Sequence, residues 1–83
     1  MYKNIELNQA ALKRGFSERD ISWAFTYYLY DGPMEEMENK YLRIGFTPTG
    51  VLLEIMYNEI DDFSVNVFHV MRCRSIYYHL LNL

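Results

Sequence analysis

The spacing of the apolar residues changes once along this chain, between Asp31 and Lys40. Before Asp31 they recur every three to four residues, the period of a helix buried on one side. After Lys40 they alternate with other residues, the period of a strand. The helical stripe is Ile21, Ala24, Phe25, Tyr28 and Leu29, and the first alternating row is Leu42, Ile44 and Phe46. Helices followed by strands predict an α+β fold.

Two helix starts precede this change. Asn8 suits the N-cap of a first helix that Gly15 would end. Ser17 and Asp20 resemble a capping box that starts a second helix, and residues 31–33 (Asp-Gly-Pro) are expected to end it. Residues 75–81 predict a short C-terminal helix, and residues 2–5 are compatible with an additional edge strand.

The strands are expected to form an antiparallel meander. Residues 47–50 (Thr-Pro-Thr-Gly) predict a tight hairpin turn, and residues 59–63 a second turn. The inward row continues through Val51, Leu53, Ile55, Tyr57, Val65 and Val67, and the same parity places His69 inward. The opposite, partly open face would carry Tyr41, Arg43, Glu54, Asn66 and Phe68. The prediction is therefore one domain over residues 1–83: two N-terminal helices packed on a three- to four-stranded antiparallel sheet, with a short C-terminal helix.

Composition excludes several classes of protein. The chain has no secretory leader and no apolar run of about 18 residues, so we expect no membrane association. The single cysteine, Cys73, cannot form an internal disulfide, which favours the cytoplasm. His69 and His79 are ten residues apart and no ligand motif surrounds them, so we expect neither a metal nor a cofactor. Cys73 is read as a small buried residue rather than as a nucleophile.

Charge is unevenly distributed along the sequence. The net charge is −3, but seven of the eleven acidic residues fall in two predicted loops. The remainder carries all eight basic residues and four acids, a balance of +4. One interpretation is that the acidic residues lie in loops only because loops are exposed to water. The other is that the protein has a basic face bordered by acidic residues. In the second, one basic strip would consist of Lys13, Arg14, Arg43, Arg72 and Arg74; the rival view scatters these residues over different faces.

Residues that could act on a phosphodiester follow the last strand. RNA can be cleaved without a metal when one group accepts the 2′-hydroxyl proton and a cation stabilises the phosphorane. Histidine, glutamate and tyrosine can transfer protons, and arginine suits phosphate. His69 could equally be a satisfied core histidine, and one of Tyr77 and Tyr78 should be buried. The group comprises His69, Arg72, Arg74, Tyr77, Tyr78 and His79.

Three short motifs together resemble the BrnT-like toxins of bacterial toxin–antitoxin pairs. Residues 12–17 (Leu-Lys-Arg-Gly-Phe-Ser) are similar to the basic-Gly step before Ser or Thr in that family. Residues 42–45 (Leu-Arg-Ile-Gly), with Gly50 in the turn, are similar to its Arg-x-Ile-Gly hairpin. Residues 68–74 resemble its final strand-to-helix junction. One departure is that the usual Ser-Ala-Arg reads His69-Val70-Met71 here, so the family's catalytic arginine is absent or displaced to Arg72 or Arg74.

The resemblance implies a RelE-like fold, metal-independent RNA cleavage and neutralisation by a cognate antitoxin; a homodimer is also compatible with the sequence. The implied catalytic residues are Arg43, Glu54, His69, Arg72, Arg74 and Tyr77, and the implied RNA-binding residues are Lys13, Arg14 and Tyr78. The arginines would contact phosphate, whereas Glu54, His69 or a tyrosine would transfer protons. The alternative hypothesis is a non-catalytic protein-interaction module or an inactive toxin homologue.

Overall fold

A five-stranded mixed sheet forms the centre of the protein in a computed structural model that describes residues 2 and 4–82. The strands are β1 (Asn4–Leu7), β2 (Tyr28–Pro33), β3 (Tyr41–Phe46), β4 (Leu52–Asp61) and β5 (Ser64–Arg72), in the spatial order β1-β5-β4-β3-β2. β1 pairs with β5 in parallel, and the other neighbours are antiparallel. One α-helix, α1 (Glu18–Thr26), and two 3-10 helices, Gln9–Leu12 and Ser75–Leu81, complete the described fold.

The α+β class is as predicted, but the predicted arrangement is wrong, including its RelE-like description. The first N-terminal helix is only a four-residue 3-10 helix, so a pair of helices does not cover the sheet. The parallel β1–β5 pair also rules out an antiparallel meander. Asn4 and Ile5 of the expected edge strand lie in β1, whereas Lys3 lies outside the described residues.

The second predicted helix ends earlier than expected. α1 ends at Thr26, and Tyr28–Pro33 forms β2 along β3 instead of about one further helical turn. Aromatic residues favour strands, and the backbone of this segment gains cross-strand hydrogen bonds that a longer helix would forgo. The helix starts agree with the sequence: the Asn8 side chain accepts from Ala10 N, and the Ser17 side chain accepts from Asp20 N.

The β3–β4 connection sets which side chains share a face. Phe46 pairs with Leu52, so five residues connect the strands, and Gly50 N donates to the Thr47 carbonyl in the turn. An odd connection places Leu42 and Ile44 opposite Met56 and Glu54. The two rows predicted to point inward together therefore lie on opposite faces, because side chains alternate with a period of two.

A β-bulge at Phe68 shifts the faces a second time. Val67 pairs with Tyr57 but His69 pairs with Met56, so Phe68 has no partner in β4. His69 therefore points away from Val65 and Val67, contrary to the parity prediction. Bulges of this kind re-aim a side chain, and here the side chain is a candidate functional histidine.

Both faces of the sheet are covered. On one, α1 and the first 3-10 helix pack on the sheet in a core that includes Phe25, Ile55 and Val67. On the other, the second 3-10 helix packs on Leu42, Ile44 and Met56 through Tyr77 and Leu80. The expected open face is thus incorrect; Tyr41 and Arg43 lie on the α1 face, whereas Glu54, Asn66 and Phe68 lie on the other.

Within the described part of the chain, no helix has the length and apolar character needed to cross a membrane.

Candidate functional site

Glu54 is a fully buried carboxylate in the central strand of the sheet. It lies on β4 between Ile44 of β3 and Met71 of β5, and its exposed fraction is 0%. A carboxylate removed from water must be paired and hydrogen-bonded, since an isolated buried charge is very unfavourable. A single acid between Leu53 and Ile55 is thus a signal in the sequence that a cationic partner should lie across the sheet.

Arg74 is that cationic partner, and its guanidinium contacts the carboxylate in a bidentate arrangement. Its Nε donates to Glu54 Oε1 at 3.0 Å and its Nη2 to Oε2 at 2.7 Å, while its backbone N–H donates to Oε1 at 2.9 Å. Arg74 follows β5, and Cys73 N, which donates to the Leu52 carbonyl, holds this segment against β4. The paired N–H fork makes this a strong charge-assisted contact, although the Arg74 side chain is 45% exposed.

His69 completes the group that surrounds the carboxylate. Its Nε2 lies 3.0 Å from Glu54 Oε2, and its side chain is 26% exposed. The bulge at Phe68 turns His69 toward Glu54 instead of into the core of Val65 and Val67. We define the Glu54 cluster as Glu54, His69 and Arg74.

The hydrogen bonds decide the charge state of Glu54. Burial alone would raise its pKa, and this is the largest single influence. The hydrogen bonds from Arg74 and His69 together outweigh burial, so the pKa of Glu54 is lowered from its ordinary value. An ionised Glu54 can only accept, so Nε2 of a neutral His69 carries the proton and Nδ1 keeps its lone pair. Nδ1 has no hydrogen bond to another described residue.

Tyr77 and Cys73 border the cluster. The Tyr77 ring centroid lies 5.6 Å from the Arg74 guanidinium carbon, and Tyr77 is half-buried whereas Tyr78 is exposed. Cys73 is buried, and burial and the nearby Glu54 charge raise the pKa of its thiol. A raised pKa reduces the thiolate population, which agrees with a structural cysteine rather than a nucleophile.

Arg43, another candidate catalytic residue, lies on the opposite face from the Glu54 cluster. Its side chain is only 11% exposed; Nε donates to Asp31 at 3.1 Å and Nη1 donates to the Phe25 carbonyl at 2.7 Å. The guanidinium carbon lies 4.0 Å from the ring centroids of both Phe25 and Tyr28. Arg43 thus ties the end of α1 to β2 and β3. The pairing of Asp31 with Arg43 was not predicted from the sequence, because Asp31 was assigned to the end of a helix.

The remaining candidate cations are exposed. The side chains of Lys13, Arg14 and Arg72 form no hydrogen bond or ion pair with another described residue. β1 runs parallel to β5, and the first 3-10 helix continues along β5. The segment that carries Lys13 and Arg14 therefore leads toward the end of β5 where Arg72 lies. The Glu54 cluster lies near the same end, since Glu54 pairs with Met71.

Acidic residues gather at the other end of the sheet. The β2–β3 connection and the β4–β5 turn meet there, because Asn39 Nδ2 donates to the Glu59 carbonyl and Glu59 N donates to Asn39 Oδ1. The β2–β3 connection carries Glu35, Glu36 and Glu38, and the end of β4 with the turn that follows carries Glu59, Asp61 and Asp62. The structure therefore separates charge along the strands, and it removes Arg43 and Arg74 from the predicted five-residue strip by pairing them internally.

The structure brings together only some of the residues predicted to form the site. Glu54, His69, Arg74 and Tyr77 come together, whereas Arg43 and Arg72, which pair with Ile55 and Leu53, lie on the opposite face of the sheet. Among the described residues, no three His, Cys, Asp or Glu side chains group in a way that could hold a metal ion. Comparison of the chain with protein-family models, curated proteins and solved structures finds no match.

Proposed function

We propose that this protein cleaves RNA without a metal, as its resemblance to BrnT-like toxins implies, with His69 as the general base. One observation supports this above all: a partly exposed imidazole whose Nε2 contacts a fully buried, ionised Glu54 at 3.0 Å. A base oriented by a carboxylate is the arrangement that general-base catalysis requires. RNA supplies its own nucleophile, so such a site needs only a base, an acid and a cation for phosphate.

In the proposed reaction, His69 Nδ1 accepts the proton of the 2′-hydroxyl. The O2′–P bond forms as the P–O5′ bond breaks, which leaves a 2′,3′-cyclic phosphate and a 5′-oxygen that takes up a proton. Tyr77, beside Arg74 and half-buried, is the candidate donor of that proton. Arg72 is exposed and pairs with Leu53, so its side chain lies on the opposite face of the sheet from His69, and in this proposal it contacts a phosphate next to the cleaved one. Arg74 remains with Glu54 and fixes its position, and Arg43 has a structural role in the α1 face.

Charge separation supports binding of a polyanion at this end of the protein. Lys13, Arg14 and Arg72 are exposed toward the end of β5, whereas the acidic segments lie at the other end. Phosphate contacts make affinity depend on salt: neutralising about three phosphates on a single strand gives a log–log slope near −2. Tyr78 is exposed next to Tyr77 and is available to stack on an unpaired base.

The test compares purified wild type with His69→Gln on a mixture of cellular RNA, and growth on induction. We expect cleavage to 2′,3′-cyclic phosphate ends by the wild type and a loss of at least about 100-fold in His69→Gln. His79→Gln is the matched control, because His79 is the other histidine and is exposed. Arg72→Ala should weaken cleavage without unfolding the protein. Soluble wild type that neither cleaves RNA nor arrests growth would contradict the proposal.

A cytoplasmic antitoxin belongs to the same proposal. A protein that covers the Lys13, Arg14 and Arg72 surface would compete with RNA, and complementary charge would speed its association. A short protein encoded beside this chain that restores growth on co-expression would support the pair.

A non-catalytic interaction module is the second candidate, favoured by exposed aromatic residues on the other face. Trp23 and Tyr27 contact each other with tilted rings whose centroids lie 4.6 Å apart, and both are exposed, as are Tyr28 and Leu29 on the edge strand β2. Monomeric proteins rarely expose several large apolar residues together without a partner. Partner binding that persists in His69→Gln, with no cleavage by the wild type, would favour this reading.

A further inference from the structure

A cavity of about 550 Å³ opens on the α1 face of the sheet, opposite the Glu54 cluster. Its volume falls within the range of pockets that hold a ligand or a large side chain. It is bounded by the end of α1, the start of β2 and the β4–β5 turn. Three aromatic and three charged side chains dominate its wall: Tyr2, Phe25, Tyr28, Arg43, Glu59 and Asp62.

The charges of this cavity do not balance. Arg43 is paired with Asp31 at 3.1 Å, so its positive charge is compensated. Glu59 accepts from the neutral hydroxyls of Tyr2 at 2.6 Å and Tyr41 at 3.3 Å, and neither it nor Asp62 forms an ion pair with another described residue. Among the residues that the structure describes, two negative charges therefore remain in excess. Burial and then the Glu59 hydrogen bond raise the pKa of Tyr2 to about 12, in keeping with these surroundings.

The aromatic walls suit a cation as well. The face of an aromatic ring attracts a guanidinium or an ammonium. The structure already contains one such contact, since Arg43 lies 4.0 Å from the centroids of Phe25 and Tyr28. Tyr28 nevertheless remains 45% exposed, so part of its ring is available to a second group.

We propose that this cavity receives an arginine or lysine side chain presented by a protein partner. Two carboxylates that have no cationic partner in the described part of the chain, beside aromatic rings, select a cation. Trp23 and Tyr27 are exposed and adjoin the lining residues Phe25, Thr26 and Tyr28 in the chain, and this apolar area favours a polypeptide partner over a free amine. This site shares no residue with the Glu54 cluster and is independent of RNA cleavage.

The first arm of the test titrates the full chain with N-acetyl-arginine amide, followed by backbone amide NMR. We expect saturable shifts at Thr26 and Tyr28 with a Kd on the order of 1 mM. N-acetyl-citrulline amide, which has the same shape without the charge, should shift these signals little. Equal affinity for the two probes, or no saturable shift with arginine, would overturn the proposal.

Two exposed aspartates, Asp61 at the end of β4 and Asp62 in the turn after it, give a matched pair of variants. Asp62→Asn should weaken arginine binding about threefold, whereas Asp61→Asn, one residue away and outside the cavity wall, should not change it. Both residues are exposed, so both variants should fold. Equal effects of the two variants would show that general charge, and not this cavity, attracts the probe.

A final arm separates a protein partner from a free cation or a nucleic acid. A leucine–arginine–leucine peptide should bind about tenfold more tightly than N-acetyl-arginine amide, and Trp23→Ser should remove most of that gain. A peptide no tighter than the single amino acid, or an RNA oligonucleotide that shifts the Thr26 and Tyr28 signals in place of the peptide, would refute a protein partner.

Discussion

Replacing Arg74 by alanine should strongly destabilise the fold. The substitution removes two side-chain hydrogen bonds to a fully buried Glu54 and leaves only the Arg74 backbone N–H and His69 as donors. Hydrogen bonds to charged groups contribute roughly 1.5–3 kcal/mol each, so the two would sum to about 3–6 kcal/mol. Because Arg74 is 45% exposed, water can reach the vacated space, and we expect a loss of about 2–3 kcal/mol.

The destabilisation should depend on pH in a defined direction. In the wild type, the pKa of Glu54 is lowered on folding, so its contribution is present above its unfolded pKa of about 4.3 and is lost as pH falls through the folded value. Without the Arg74 side chain, we expect burial, the largest single influence on Glu54, to dominate and to raise that pKa above its unfolded value. The free-energy cost of burying the ionised Glu54 is then present above the unfolded pKa, and it decreases as the carboxylate is protonated at lower pH. The stability gap between the two proteins should therefore be largest near pH 7 and shrink toward about pH 4.5.

Urea unfolding measured at both pH values tests this reasoning. The loss at neutral pH corresponds to a decrease in Tm of about 10–20 °C for a domain of this size. Arg72→Ala is the control, since Arg72 is exposed on the same segment and should change stability by less than about 0.5 kcal/mol. In the Arg74→Ala background, Glu54→Gln should recover about 1–2 kcal/mol, because an amide needs no counter-charge. A difference in unfolding free energy between wild type and Arg74→Ala below about 0.5 kcal/mol, or a difference that does not change with pH, would refute this explanation.

Three further substitutions or reactions have defined outcomes. Gly45→Ala should cost about 2–4 kcal/mol in urea unfolding, because the added Cβ would lie 2.3 Å from the Ala24 backbone oxygen; near-wild-type stability would show that α1 can move. Gly50→Ala meets no atom within 4 Å but holds φ at +89°, so backbone strain alone should cost about 1–2 kcal/mol, and no loss would contradict that conformation. Cys73 should react with a thiol reagent only slowly at pH 7, since its pKa is raised and it is buried; rapid labelling of the folded protein would argue against this environment.

Local signals in the sequence predicted local structure well. The Asn8 and Ser17 caps are present, Gly50 occupies the turn at a positive φ, and β3 spans Tyr41–Phe46. These features depend on a few adjacent residues, whose side-chain hydrogen bonds or backbone preferences act over short range. They fix where elements begin and end without deciding how the elements pair.

Pairing between strands determined the end of α1 and the faces of several side chains, which the sequence pattern did not predict correctly. The helical spacing through Tyr28 and Leu29 is real, but β3 offers that segment a strand partner and the helix ends at Thr26. Likewise, a five-residue connection and the bulge at Phe68 each reverse the parity of side chains. Both reversals concern candidate site residues: the first separates Arg43 from Glu54, and the second brings His69 to it.

The same pairing explains how an acidic chain can present a basic end. Arg43 and Arg74 each neutralise an acid within the fold, so neither contributes a free cation to the surface. Strand direction then sorts the exposed charges, because both acidic connections lie at one end of the sheet and the Lys13, Arg14 and Arg72 segments lie toward the other. Net charge is a sum over both ends and therefore does not predict what either end binds. The Glu54 cluster at the basic end and the cavity beside Glu59 and Asp62 are thus suited to ligands of opposite charge, which is why we assign them to different partners.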